Sequence, residues 1–151
     1  MERTDLIATY RTGADAFAAA LDGLSDAQLD RAPHDGGWTP RLVAHHVADS
    51  ETNSCIRLRR LVAEDEPLII GYDEERWAAR LHYDRPVATS VAVVRAVRAA
   101  SLELLETLTP DEWSRTGSHS ESGLMTIDSW LRTYAAHAHE HADQIRRALS
   151  R

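Results

Sequence analysis

Thr126-Ile127-Asp128-Ser129-Trp130-Leu131-Arg132-Thr133-Tyr134-Ala135-Ala136-His137-Ala138-His139-Glu140-His141-Ala142-Asp143-Gln144-Ile145-Arg146-Arg147-Ala148-Leu149 carries neither proline nor glycine. Ile127, Trp130, Tyr134, Ile145 and Ala148 recur at helical spacing, and His137 and His141 continue their stripe. Four residues advance a helix by about 40° of rotation and roughly one turn of rise. Both imidazoles therefore face the apolar seam together. His139 lies about 160° from each and is expected to face outward.

Two histidines on a buried face need partners, because burying a polar group without one is costly. One reading is a hydrogen-bonded pair in the core. The other is two ligands of a single metal ion, which needs imidazoles on one face, one turn apart. HxxxH alone does not separate them. A third ligand from another helix would favour the metal.

Such a helix lies upstream. Thr39-Pro40 is a helix start, a capping hydroxyl followed by proline at the first helical position. The helix is expected to run to about residue 62 or 64. Leu42, Val43, His46, Ser50, Asn53 and Arg57 share a broad face, with Val47, Ile56, Leu58 and Leu61 widening the apolar cover. His46 thus sits among core-facing positions, whereas His45, about 100° round, is expected to be exposed.

The remaining segments supply two more helices. Leu6, Tyr10, Ala14, Phe17 and Leu21 stripe a helix over residues 5–21, ended by Gly23. Pro86 opens another, through Val91, Val94, Leu102, Leu105 and Leu108. Residues 65–85 read as a long connection with one helical turn near residues 74–80, and residues 114–123 as loop. A connection of that length can carry the chain back across a bundle, so that the flanking helices run parallel. Leu24-Ser-Asp-Ala-Gln-Leu-Asp-Arg31 and Leu108-Thr-Pro-Asp-Glu-Trp-Ser-Arg115 match in style, each with a capping-box pattern. Two helix–turn–helix halves, offset by about 84 residues, then make a four-helix bundle. Shared cap grammar explains the match as well as duplication does.

Composition agrees with an all-α protein of one domain over residues 1–151: 43% hydrophobic residues, many alanines and five prolines. One cysteine, Cys55, allows no internal disulfide and fits a cytoplasmic protein, in which it is expected to be a buried, inert thiol. No apolar run approaches the roughly 20 residues that span a bilayer. A net charge of −7 with interspersed signs argues against nucleic acid or an anionic membrane as partner.

Three neutral imidazoles leave an open coordination position, the pattern of a catalytic rather than a structural metal. Such a position takes water or an incoming thiolate, with the metal lowering the pKa of either. Zinc is the first choice; nickel, iron and manganese also accept imidazole. Asp49, Ser50, Glu51, Tyr134 and Gln144 are candidates to orient the ligands through outer hydrogen bonds. Asp49 and Glu51 are also the candidate general bases, against the plainer reading of surface acids. Affinity is expected to weaken as pH falls through about 6.5, where free imidazole protonates. His139-Glu140 begins a zinc-protease HExxH, but Asp143 occupies the last position.

Trp38-Thr-Pro-Arg-Leu-Val-Ala-His-His-Val-Ala-Asp-Ser-Glu51 resembles the W-S/T…H-x-x-D-x-E segment of the DinB-like superfamily of metal-dependent enzymes, whose ligand falls at His46. Tyr72-Asp-Glu-Glu-Arg-Trp77 resembles the Y-D-x-x-x-W connection of that family, and residues 123–131 and 134–145 resemble its closing helix, with His137 and His141 as its HxxxH. The match is nearest to the YfiT-type branch. The resemblance implies a four-helix bundle in up-down-down-up order, a divalent metal on His46, His137 and His141, and often a homodimer. It implies a small-molecule substrate: a low-molecular-weight thiol transferred to an electrophile, or a substrate hydrolysed by activated water. The rival class is a non-catalytic binding or dimerisation module whose metal site is vestigial or absent.

Overall fold

The computed structural model describes residues 2–34 and 36–150. In chain order the elements are α1 (Arg3–Leu21), α2 (Asp26–Leu29), α3 (Pro40–Ala63), β1 (Leu68–Ile69), α4 (Glu74–Arg80), α5 (Ala88–Thr107), α6 (Pro110–Trp113), β2 (Thr116–His119), β3 (Gly123–Thr126) and α7 (Ile127–Leu149). Caps fix most of the starts. Thr39 accepts from the Leu42 amide with Pro40 at the first helical position. Ser25 with Gln28, Thr109 with Glu112, and Thr126 with Ser129 each form a reciprocal capping box. The third long helix starts at Ala88 rather than at Pro86, which precedes its cap residue Val87.

Side-chain pairs give the direction of every long helix. Arg3 on α1 bonds Asp128 at the start of α7, and Thr12, farther along α1, meets His139 at 3.2 Å, so these two helices run parallel. His45 meets Ser90 and Glu51 meets Arg98, so α3 and α5 are parallel too. Arg11 pairs with Glu106 and Asp15 with Arg95, making α1 and α5 antiparallel. The Trp130 indole donates to the Ser54 carbonyl and His137 meets Glu51, making α3 and α7 antiparallel. The order is up-down-down-up, and the connection after α3 returns the chain to the end where α3 began.

That connection contains α4, as expected, but also a strand. β1 pairs in parallel with β2, and β2 in antiparallel with β3, giving a three-stranded sheet outside the bundle. Residues 114–123, expected to be loop, therefore form most of a hairpin. Strands of two to four residues are too short to show an alternation. Gly123 closes the hairpin at φ +77°, the left-handed region that favours glycine. The two capped halves agree as far as α2 and α6 and diverge afterwards, one into a coil and the other into this hairpin.

The core divides into two apolar clusters. One holds Phe17, Val43, Val47, Val94, Ala138, Ala142 and Ile145; the other holds Leu6, Tyr10, Leu58, Leu61, Leu105, Trp130 and Leu131. Between them every long helix contributes something small or polar: Gly13, Glu51 with Ser54, Arg98 with Ser101, and His137. Gly13 leaves room for Arg98. A Cβ there would stand 2.6 Å from Arg98 Nη2 and 3.2 Å from the Ala138 Cβ. Gly13→Ala gains helix propensity but overpacks a fixed guanidinium, at a cost of about 1–3 kcal/mol. A lower thermal midpoint in a melt of this variant is the expected result; an unchanged or higher one would mean Arg98 is free to move aside.

Candidate metal centre

α3 and α7 lie side by side and antiparallel, so a residue near the start of α3 meets residues near the end of α7. His46 stands 5.0 Å from His141 and 5.9 Å from His137 between ring centroids, and His137 lies 4.6 Å from His141. One ring nitrogen of each can be chosen so that all three lie within 4.8 Å of one another. A tetrahedral zinc with ligands at about 2.0–2.1 Å would set them roughly 3.4 Å apart, a closure that small side-chain rotations cover. The Trp38 ring stands edge-on to His46 at 5.0 Å, and the Tyr134 ring edge-on to His137 at 5.6 Å.

Two of the three imidazoles have their tautomer set from outside. His137 Nδ1 is 3.1 Å from Glu51 Oε1, and His141 Nδ1 is 2.7 Å from Gln144 Oε1. The Glu51 carboxylate only accepts, so His137 Nδ1 carries the proton and its Nε2 keeps a lone pair; the Gln144 amide oxygen, turned to the ring, favours the same tautomer of His141. Of Asp49, Ser50, Glu51, Tyr134 and Gln144, it is Glu51 and Gln144 that stand at the outer nitrogens. Asp49 instead accepts from the Tyr83 hydroxyl at 2.5 Å.

Burial holds the His46 imidazole down to about 3, helped by His141 and His137, and that of His141 down to about 4, again chiefly by burial. Both are neutral, as ligation requires, far below the pH at which free imidazole would charge. The same shifts act on folding. Below about pH 6.5 the unfolded chain takes up protons that the folded chain refuses, so stability falls as pH falls through that value and continues to fall towards pH 3–4. Metal-free protein should melt progressively earlier across this window, and His46→Ala should flatten the slope; identical slopes would contradict the burial of this group.

The family model described as the DinB superfamily matches residues 9–145. The chain belongs to the DinB superfamily. A DinB relative from Oceanobacillus iheyensis is 38% identical over 122 residues, covering 81% of this chain and 71% of its own. One from Bacillus mycoides is 36% identical over 129 residues, covering 85% and 75%. Both bear the name "putative metal-dependent hydrolase". The solved structure of YfiT from Bacillus subtilis superposes with a TM-score of 0.90 at 29% identity, over 98% of this chain and 87% of that one. It is described as having "an unusual four-helix bundle topology", and the up-down-down-up order here agrees with that.

Among the histidines of this DinB chain, two depart from the sequence expectation. His45 is fully buried, with Nδ1 2.8 Å from Ser90 Oγ and Nε2 2.9 Å from the Arg85 carbonyl. α3 touches α5 on one side, α7 on another and the returning connection on a third, so its apolar stripe understates its covered arc. His45 thereby pins that connection and the start of α5 to α3. His139 is half-buried against α1, with Nε2 3.1 Å from the Thr9 carbonyl. Cys55 is half-buried rather than buried, with Sγ 2.7 Å from Arg59 Nη1.

Arg98 went unnoticed in the sequence. Its side chain is 2% exposed and lies 2.7 Å from Glu51 Oε1, itself 0% exposed. Arg98 also donates to the Tyr134 and Tyr10 carbonyls at 3.0 and 2.7 Å, and its guanidinium sits 3.8 Å over the Tyr10 ring. A chain of contacts thus runs from α1 and α5 through Glu51 to His137. The available signal was spacing: Val94, Arg98, Ser101 and Leu105 form one helical stripe in which a lone charge stands among core positions.

Proposed function

We propose that this protein is a metal-dependent enzyme in which His46, His137 and His141 hold one divalent ion, zinc first among the candidates. One observation carries the reading. Three imidazoles from two helices meet with ligand nitrogens within 4.8 Å, and two of them have Nδ1 bonded to an outer partner. A divalent ion so held supplies Lewis acidity, lowering the pKa of water or of a thiol at its remaining positions. Glu51 orients His137; fully buried and bonded to Arg98, it is closed to substrate. Asp49, half-buried and tied to Tyr83, is the remaining candidate for moving a proton.

The substrate is a small molecule, and the reaction is either transfer of a low-molecular-weight thiol to an electrophile or hydrolysis. The names carried by the DinB relatives support hydrolysis; the open three-histidine set serves both. Elemental analysis of purified protein comes first, with one equivalent of metal expected. Turnover of an ester or amide panel without thiol would establish hydrolysis. Turnover only when a thiol and a model electrophile are both present would establish transfer. A protein that binds no metal yet keeps its full stability would be the non-catalytic bundle instead.

A further inference from the structure

The histidine rows do not end at the histidines. One turn beyond His46 on α3 is Ser50, and three residues before His137 on α7 is Tyr134. Arg57 follows on the same face of α3, and the connection lays Tyr72 over it, the guanidinium carbon standing 6.0 Å from that ring. Trp77 backs Tyr72 with ring centroids 4.5 Å apart.

Arg57 is unlike the buried arginines of this chain. Arg41 and Arg98 each hold a carboxylate, Arg41 with Asp26 and Asp30, Arg98 with Glu51. Half-buried Arg57 has no carboxylate within 4.0 Å among the described residues. It donates to two neutral oxygens, the Tyr134 hydroxyl at 3.1 Å and the Ile70 carbonyl at 3.2 Å. A guanidinium has five N–H donors, so capacity remains for an incoming anion. Beside it the Tyr72 hydroxyl is buried, with the Ser50 side chain as its near neighbour but no well-formed hydrogen bond between them. In a chain of net charge −7, acids to neutralise an arginine are plentiful, yet none pairs with Arg57 among the described residues; Glu74 acts on the Tyr72 hydroxyl only through space.

Resting on the metal-centre reading, we infer that Arg57, with the Tyr72 hydroxyl, forms a subsite for an anionic group of the substrate, a carboxylate or a phosphate. Eleven residues of helix separate His46 from Arg57, about 16 Å of rise, and an arginine leaning toward the helix start covers roughly half of that. Anion and reacting atom then belong to one metabolite-sized molecule, reacting at the histidines and held by its charge at Arg57, beside the Tyr134 hydroxyl.

The test has two arms. In metal-free protein the Arg57 Nε–H resonance is followed by NMR during titration with acetate and with inorganic phosphate. A saturable shift with either is expected, the tighter of the two naming the anion class; no saturable shift with either overturns the subsite. In cobalt-loaded protein, 6-mercaptohexanoate and 6-mercapto-1-hexanol are compared through the cobalt absorption bands. The acid should bind about tenfold more tightly, the worth of one charge-assisted hydrogen bond. Arg57→Met should erase that ratio, and Arg57→Lys should keep part of it. Equal binding of the two thiols, or a ratio that survives Arg57→Met, also overturns the subsite. A merely structural Arg57 would lower the melting midpoint in Arg57→Met and leave the ratio alone. Failure to take up cobalt would count against the metal centre, while the metal-free arm still decides the subsite.

Discussion

His137→Ala, His46→Ala and His141→Ala should each reduce bound metal from the expected one equivalent to near zero, whereas His139→Ala should retain it. With two imidazoles left, the site loses a ligand that water must replace, and the open position of a three-histidine set no longer exists in the same form. The effect should exceed the tenfold to hundredfold loss typical of an outer partner. His45→Ala is the informative control. The residue neighbours His46 in sequence, yet its two nitrogens are spent on Ser90 and Arg85, so metal should stay while the protein melts earlier. Loss of metal in all five variants, measured on folded protein, would show that the facing geometry of α3 and α7 has been misjudged.

The second large effect belongs to the buried ion pair. Glu51→Leu leaves the Arg98 charge uncompensated beneath the bundle surface, at an expected cost of about 3–5 kcal/mol. That is a large share of the 5–15 kcal/mol typical of a domain. It also frees His137 Nδ1, so metal affinity should fall as well, by roughly tenfold to a hundredfold. Combining it with Arg98→Met should restore much of the stability, because two apolar side chains replace two charges, but should not restore the affinity. Chemical denaturation alongside metal competition separates the two. If the double variant is as unstable as the sum of its parts, the pair is not coupled as its 2.7 Å contact implies.

What the sequence disclosed follows the range of the interactions involved. Caps at Ser25, Thr39, Thr109 and Thr126 were readable because each is decided within four residues. The HxxxH face was readable for the same reason, one helix and one turn. His46 needed a second helix, and its place among core positions was enough to bring it in. His45 misled because a stripe of apolar residues marks the deepest line of a helix but not how far neighbours wrap around it. The sheet was invisible because β1 finds its partner about fifty residues later. Arg98 and Gly13 make sense only as a pair, a charge and the gap that admits it, contributed by helices that are distant in sequence.

The parallel run of α1 and α7 has a practical corollary. Arg3 lies beside Asp128, and Arg31, just past α2, reaches the Leu149 carbonyl, so the first helix begins at one pole and the last finishes at the other. About 34 Å of helix separates them, and a bridging peptide would need roughly ten extended residues to cross it. A short linker therefore cannot join the start of α1 to the end of α7. Fluorophores attached at Arg3 and Leu149 would instead form a ruler along the long axis, whose energy transfer reports whether the bundle stays intact as metal is added or withdrawn.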